Sequence, residues 1–273
     1  MVSPGKPWQS RLRRTLARFF GGSPLHRAYS CARGLAYTTE GARGRTATEH
    51  LQHGLVLEDE DIEAGRHRRL VGGKWEEIGR VQFDWLVGQG LQPEHYVLDV
   101  GCGALRAGLW LVPYLEPVRY FGIDINPSLV RAGLWELEQS GLAERCPPSS
   151  IRVTDDFECD FGVEFDFAVA QSLFTHIPLV AIDRCLRRVA GPMKPGGRLF
   201  ASYNGLPPGR RLSRPSTRDP FRHAYDDLAA AGAPEWEPRY IEDWGHPRGM
   251  KMIEYRRTGR RRSPVRRAWR NTG

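Results

Sequence analysis

The stretch that decides the fold is Val97-Leu98-Asp99-Val100-Gly101-Cys102-Gly103. Its first half has the apolar composition of a buried strand, and its glycines predict a tight turn into a helix from about Ala104 to Leu115. Glycines let the backbone come into contact with a ligand and place the N–H groups of the following helix beside it. The stretch therefore predicts a ligand-binding turn at the carboxyl end of a first strand.

Strands and helices alternate outward from this turn, a pattern typical of a parallel sheet with helices on both faces. Pro127 and Pro178 stand where two of the helices begin. The strands are predicted at 96–100, 119–125, 151–154, 165–170 and 198–203, and a terminal hairpin at 238–243 and 250–256. We predict an α/β fold with a doubly wound, mostly parallel seven-stranded sheet, an antiparallel C-terminal hairpin and a helical N-terminal extension.

The chain divides into three segments by composition. Residues 1–73 are predicted to form a basic N-terminal extension and an accessory cap, including an amphipathic helix at Gln9 to Phe20. Residues 74–256 form the α/β domain, and residues 257–273 are predicted to be a basic, disordered tail.

The net charge of +8 hides two opposite regions. Residues 1–39 carry seven basic residues and residues 256–273 carry eight, with no acid in either segment. The remainder has 25 basic against 32 acidic residues, a net charge of −7. Only four of the basic residues are lysine, so an arginine-rich composition and a tethering role for the ends explain the charge equally well.

Several classes of protein are disfavoured. The five cysteines are scattered and form no C-x-x-C pair, which indicates neither a zinc site nor a disulfide framework. No apolar run reaches the roughly 18 residues needed to span a bilayer, and no secretory signal is evident. The expected location is the cytoplasm.

The glycine turn has two readings. Asp124 lies 21 residues beyond Gly103, close to the spacing of the ribose-binding acid in a dinucleotide fold. That fold requires a third glycine where Arg106 stands, and Asp99 would repel a pyrophosphate. S-Adenosylmethionine (SAM) carries no phosphate and has a cationic ammonium and sulfonium, so Asp99 suits it better.

The chain resembles the class I SAM-dependent methyltransferases of small-molecule type over about residues 75–256. Asp99 to Gly103 is similar to their first motif, Phe121-Gly122-Ile123-Asp124 to their second, and Met193 to Leu199 to the turn before their fifth strand. The resemblance implies SAM as cofactor. The family often has a further glycine at the position of Leu105.

The resemblance also implies a set of cofactor-binding residues. Asp99 is expected at the ammonium, Asp124 at the ribose hydroxyls, and Asp155 with Asp156 at the adenine amino group. The full set is Asp99, Gly101, Cys102, Gly103, Arg106, Asp124, Ile125, Asp155, Asp156, Phe157 and Gln171.

Arg106 is expected in the first turn of a helix, where the helix dipole disfavours a cation. Two explanations stay open: the guanidinium binds a carboxylate of SAM or of the acceptor, or the side chain extends into water.

The acceptor side is expected at the carboxyl ends of strands four to six. His176 and His246 are the candidate catalytic bases, with packing or capping as the alternative for His176 and turn shaping for His246. The candidate substrate-binding residues are Tyr203, Asp243, Trp244 and Arg248. No set of ligands is spaced for a metal ion.

The predicted function is SAM-dependent methyl transfer to an oxygen or nitrogen of a small molecule such as a sugar, lipid or secondary metabolite. The alternative is an RNA or protein methyltransferase that holds its acceptor with the basic ends, although the acidic body argues against a nucleic-acid surface. A third reading is a non-enzymatic binding module. The N-terminal segment could also contact a membrane surface transiently.

Overall fold

The computed structural model describes residues 56–213, 216 and 219–260. Its helices are α1 (Asp59–Glu63), α2 (Arg66–Leu70), α3 (Trp75–Gly88), α4 (Gly108–Tyr114), α5 (Pro127–Gln139), α6 (Leu179–Ala190) and α7 (Tyr225–Ala231). Its strands are β1 (Val97–Val100), β2 (Tyr120–Asp124), β3 (Ile151–Val153), β4 (Phe165–Ala170), β5 (Met193–Tyr203), β6 (Gly205–Leu206), β7 (His223–Ala224), β8 (Trp236–Ile241) and β9 (Lys251–Arg257). Short 3₁₀ helices lie at Pro148–Ser150 and Leu173–Thr175.

The main sheet has seven strands in the order β3-β2-β1-β4-β5-β9-β8. Strands β1 to β5 pair in parallel, whereas β9 runs antiparallel to both β5 and β8. The order reverses at β1, so the crevice between the ends of β1 and β4 is where a ligand binds in an open α/β sheet. The predicted fold is confirmed.

Both faces of the sheet are covered, because alternate strand residues point to opposite sides. Leu98 and Val100 pack on one face with the apolar stripe of α6. Val97 packs on the other face with Leu86 of α3 and Leu111 of α4. The strands are therefore buried on both sides, which explains their nearly continuous apolar sequence.

Residues 56–74, called the cap segment below, pack against the body at α5 and at the glycine turn. Leu57 and Ile62 form a small apolar cluster with Ala104 of the turn and Ala132 of α5. A buried carboxylate, Glu136 of α5, accepts hydrogen bonds from Arg68 Nε at 2.7 Å and Nη2 at 2.8 Å. The cap segment is thus fixed beside the end of β1.

Several predicted boundaries differ from the structure. The helix predicted from 104 begins at Gly108, because residues 103–107 form consecutive turns. Strand β5 begins at Met193, not at 198. Strand β9 extends to Arg257, which belongs to the sheet and not to the tail. The predicted helix at Gln9 to Phe20 and most of both basic ends lie outside the described residues.

Candidate functional site

The turn after β1 is built by three residues in the left-handed backbone region. Gly101, Gly103 and Leu105 have φ angles of 75°, 53° and 62°. The N–H groups of Gly101 and Cys102 donate to the carbonyl of Ile123 at 2.8 and 3.0 Å. The N–H of Gly103 donates to the Asp124 carboxylate at 2.8 Å. These N–H groups hold β1 to β2, so the glycines provide close approach of the backbone and not a row of free donors.

Leu105 occupies the position where the family often has glycine. A left-handed φ strains a residue with a β-carbon by about 1–2 kcal/mol. The Leu105 side chain is fully buried, and a Cβ added at Gly133 would lie 2.5 Å from its Cγ. Burial of leucine against the bare backbone of Gly133 offsets the strain, so the turn keeps its shape without the extra glycine.

Two neighbouring segments close over the glycines. A Cβ added at Gly103 would lie 3.3 Å from Cγ1 of Val71 in the cap segment. A Cβ added at Gly101 would lie 3.3 Å from Cδ1 of Leu173, which follows β4. The turn is therefore covered by the cap segment on one side and by the end of β4 on the other.

Asp124 ends β2 with its carboxylate at the turn. One oxygen accepts from Gly103 and the other from the N–H of Asn126 at 2.8 Å. The Asn126 side chain caps α5 by accepting from the N–H groups of Ser128 and Leu129. Each carboxylate oxygen can accept further hydrogen bonds, and the ribose-binding role of Asp124 stays a prediction. Ile125 follows it half-buried.

Asp99 lies beneath the turn and is only 3% exposed. The Tyr120 hydroxyl donates to its Oδ2 at 2.7 Å. Burial raises the pKa of Asp99 to about 7, an effect that Asp124 adds to and the Tyr120 hydrogen bond opposes. The predicted role of Asp99 at the ammonium of SAM stays a prediction for this buried carboxyl.

Cys102 contributes through its backbone. The side chain is buried, and a Cβ added at Gly122 would lie 2.9 Å from its Sγ. Burial raises the pKa of the Cys102 thiol well above its usual range, so the thiol stays protonated and packs against β2.

Arg106 precedes α4 by two residues, so its expected place in the first turn of a helix is wrong. Nη1 donates to the carbonyl oxygens of Val71 and Gly73 at 3.0 and 3.4 Å. The side chain is buried, so the alternative that it extends into water is also wrong. Burial lowers the pKa of Arg106 to about 10.

The predicted adenine-side pair, Asp155 and Asp156, follows the end of β3. Asp156 accepts from Thr154 Oγ1 at 2.9 Å and from Arg188 of α6 at 2.6 Å. Its carboxylate therefore serves the turn after β3. Phe157 has a left-handed φ of 63°, with the Arg184 guanidinium 5.6 Å from its ring centroid. An adenine-binding role remains a prediction for Asp155, Asp156 and Phe157.

The end of β4 meets the turn between β8 and β9. Nε2 of Gln171 lies 3.3 Å from Nε2 of His246, and His246 Nδ1 accepts from the N–H of Arg248 at 3.3 Å. Burial, aided by the charges of Arg106 and Arg248, lowers the pKa of His246 to about 4. A group with so low a pKa is a weak proton acceptor, which argues against His246 as the base.

His176 stands after the 3₁₀ turn that follows β4. Its Nδ1 lies 2.7 Å from Oδ1 of Asp219, with the two side chains 39% and 29% exposed. A proton on Nδ1 would be fixed by this carboxylate, which leaves Nε2 as the nitrogen that can accept a proton. Neither side chain is a core residue, so the predicted packing role of His176 is replaced by a polar pair.

Of the four predicted substrate-binding residues, two are buried and two are exposed. Tyr203 is fully buried, and its hydroxyl donates to the Leu206 carbonyl at 3.3 Å, so it packs within the core. Trp244 is also buried and donates from Nε1 to the Met250 carbonyl at 2.7 Å. Asp243 is exposed and accepts from the N–H of Gly245. Tyr203 and Trp244 therefore pack in the core, whereas Arg248 is exposed and donates to the Gly72 carbonyl. A substrate-binding role stays a prediction for Asp243 and Arg248.

Three features of the site had no adequate signal in the sequence. They are the Tyr120 hydroxyl on Asp99, the Asp219 partner of His176, and the turn Val71-Gly72-Gly73 that contacts both Arg106 and Arg248. The glycine pair Gly72-Gly73 indicates a turn, but only the fold brings it to the end of β1. Among residues 56–260 that are described, no group of three His, Cys, Asp or Glu side chains is placed to hold a metal ion.

Comparison with known proteins agrees with this geometry. Residues 98–199 match the family model described as a methyltransferase domain. The SAM-bound magnesium protoporphyrin IX methyltransferase from Synechocystis PCC 6803 is 18% identical with a TM-score of 0.56, over 80% of this chain and 100% of that chain. A SAM-dependent methyltransferase from Clostridium acetobutylicum ATCC 824 is 11% identical with a TM-score of 0.54, over 74% and 99%.

A third similar structure is the SAM-bound amino pentose methyltransferase from Micromonospora echinaspora involved in calicheamicin biosynthesis. It is 18% identical with a TM-score of 0.52, over 76% of this chain and 100% of that chain. At such identities the likeness concerns the fold and not the acceptor.

The fold and the family match define the class of protein. The chain carries a class I, Rossmann-like methyltransferase domain, as predicted. The family match over residues 98–199 and the shared fold of SAM-bound structures agree with the predicted SAM-dependent methyltransferase. The residues fit that cofactor chemically, because two carboxylates, Asp99 and Asp124, flank a close-approach turn and suit a cation and a diol. Within the described part of the chain, no helix is long and apolar enough to cross a membrane.

Proposed function

We propose that the protein transfers the methyl group of SAM to an oxygen or nitrogen of a small molecule. The observation that carries the small-molecule acceptor is the cap segment, whose Val71 packs on Gly103 and whose turn is bound by Arg106 and Arg248. A cap fixed across the end of β1 leaves the reacting centre enclosed, which favours a compact acceptor over a folded macromolecule. The solved structures with small-molecule acceptors named in their descriptions support the same class.

The chain's own residues divide the work. Asp124 and the backbone of Gly101 to Gly103 hold the donor, and Asp99 lies beneath it, where a bound cation favours its charged form. When bound, SAM supplies an electrophilic methyl group on a sulfonium. Alignment of the acceptor with that methyl group is the largest contribution a protein makes to such a displacement. The cap segment excludes water from the same place.

His176 is the base we propose for a hydroxyl acceptor. Its position after β4 lies beside Leu173, which contacts Gly101. Asp219 orients the imidazole through Nδ1, so Nε2 is directed to take the acceptor proton. His246, neutral and buried beside Gln171, is a positioning residue in this proposal.

The alternative acceptor, RNA or protein, rests on the basic ends, which are outside the described residues. The acidic residues 40–255 give the body a net charge of −7, which repels a polyanion. A macromolecular acceptor is therefore the less supported function. Cytoplasmic location and transient membrane contact remain predictions.

The experiment that tests the proposal is incubation of the full chain with methyl-labelled SAM and a fractionated extract of its host. We expect label in small organic compounds, and none with Asp124→Ala. Label that enters RNA or protein instead would overturn the small-molecule acceptor. Absence of labelling in every fraction, with no SAM binding by calorimetry, would overturn the enzymatic role.

A further inference from the structure

Arg106 is a buried cation with neutral partners. Its side chain is 9% exposed, and its Nη1 donates to two backbone carbonyls, those of Val71 and Gly73. Its Nε lies buried without a hydrogen-bond partner. Hydrogen bonds from a guanidinium to a carboxylate are roughly twice as strong as those between neutral groups. The present partners therefore leave much of the binding capacity of Arg106 unused.

Arg248 is a second cation at the same turn. It donates to the carbonyl of Gly72, between the two carbonyls that Arg106 contacts, and its charge lowers the pKa of Arg106. Within the described part of the chain, neither guanidinium forms an ion pair with an acidic side chain. The turn Val71–Gly73 thus holds together two like charges that repel each other.

The acidic group that could balance the charge of Arg106 is only partly ionised. Asp99 is the acidic group that stabilises the Arg106 cation, yet burial raises the pKa of Asp99 to about 7. At neutral pH this carboxyl is therefore protonated in a large share of molecules. Lys74 adds another positive charge near His246, although it is paired with Glu77 at 2.9 Å. The turn Val71–Gly73 is thus flanked by two arginines without ion-pair partners among the described residues, one buried (Arg106) and one exposed (Arg248).

We propose that Arg106 and Arg248 form an anion site that binds a carboxylate, and that the carbonyls of Val71 to Gly73 occupy the guanidiniums until that carboxylate arrives. The inference rests on the proposed function. The carboxylate has two sources, the methionine end of the donor or the acceptor itself. A carboxylate would satisfy both guanidiniums and the buried, unpartnered Nε of Arg106.

The test uses the full chain with Arg106→Gln and Arg248→Gln. Arg145→Gln is the matched control, because Arg145 also donates to two backbone carbonyls, those of Val112 and Leu115, but lies away from the turn. Calorimetry measures the affinity for S-adenosylhomocysteine and for its decarboxylated analogue. A second arm titrates the S-adenosylhomocysteine-saturated protein with benzoate and with benzamide, its neutral counterpart.

A donor carboxylate predicts a loss of about tenfold or more in S-adenosylhomocysteine affinity in Arg106→Gln, with the analogue unaffected. An acceptor carboxylate predicts unchanged S-adenosylhomocysteine affinity and a saturable response to benzoate alone, lost in both variants. Arg145→Gln should behave as the wild type in both arms.

The inference is overturned if neither arm depends on the carboxylate. It is equally overturned if Arg106→Gln lowers the affinity for S-adenosylhomocysteine and for its decarboxylated analogue to the same extent, because the arginine would then only hold the cap segment. Failure of the proposed function looks different: the wild-type protein would bind neither nucleoside.

Discussion

The two halves of the site are built in different ways. The donor half consists of residues close in sequence, since Gly101 to Leu105 form one turn and Asp124 contacts it directly from the next strand. The acceptor half contains two side-chain pairs. Gln171 contacts His246, which is 75 residues away in sequence, and His176 contacts Asp219, which is 43 residues away. A backbone requirement is therefore visible in local sequence, whereas side-chain contacts across the fold are not.

The largest expected effect is a loss of turnover on changing a residue of the acceptor half. His176→Ala should lower methyl transfer to the labelled acceptor about 10²–10⁴-fold, because the base is removed. Asp219→Asn should lower it less, since the ring stays present but loses its orienting carboxylate. S-Adenosylhomocysteine affinity should be unchanged in both.

The control for these two variants is His95→Ala. His95 is a partly buried histidine that precedes β1, at the amino ends of the parallel strands. Normal turnover in His176→Ala would remove the base from the acceptor half. Parallel loss of donor affinity would show that His176 supports the fold and not the chemistry.

The next effect separates the halves by donor affinity. Asp124→Ala removes hydrogen bonds from the ribose hydroxyls to a charged acceptor, each contributing roughly 1.5–3 kcal/mol. We expect S-adenosylhomocysteine affinity to fall about 100-fold by calorimetry. Asp166→Ala is the matched control, because Asp166 also accepts a backbone N–H, that of Tyr96 at 2.9 Å, but at the amino end of β4. Equal losses in both variants would contradict the assignment.

A smaller effect concerns the pH dependence of the donor half. The pKa of Asp99 is about 7, and a bound cation favours its charged form. S-Adenosylhomocysteine affinity should therefore rise several-fold between about pH 6 and 8 as the carboxyl loses its proton. Asp99→Asn keeps an acceptor for the Tyr120 hydroxyl and should flatten the profile. An affinity that falls across this range, or an unaltered profile in the variant, would refute the role of the buried charge.

The smallest expected effect is none. Deleting residues 1–24 and 261–273 removes most of the excess positive charge but leaves β9, which ends at Arg257, intact. S-Adenosylhomocysteine affinity and the melting temperature should match those of the full chain. Weaker nucleoside binding would mean that the ends contribute to the donor half.

The donor half could be predicted from the sequence more fully than the acceptor half. The glycine turn, the succession of strands and helices, and the position of Asp124 at the end of the second strand could be predicted, because each depends on local periodicity or on a backbone angle that few residues adopt. Leu105 shows the limit, since its strain is offset by Gly133 of α5, a contact that no local pattern contains.

The acceptor half was harder to predict for a physical reason. Tyr203 and Trp244 are amphipathic side chains near strand ends, but both place the ring in the core and satisfy the polar atom with a backbone carbonyl. Arg106 was assigned to a helix because its neighbours suit one, yet the left-handed Leu105 delays the helix to Gly108. Each difference arises from tertiary contacts.

Hydrogen exchange with and without saturating S-adenosylhomocysteine locates the donor on the full chain without an acceptor. We expect slower exchange in peptides spanning residues 101–106, 124–126 and 155–157, together with the cap turn at 71–73. Peptides from β8, at the far edge of the sheet, should not change. Protection confined to β8 or to the β8–β9 turn, with calorimetry showing that the nucleoside is bound, would contradict a donor site at the glycine turn.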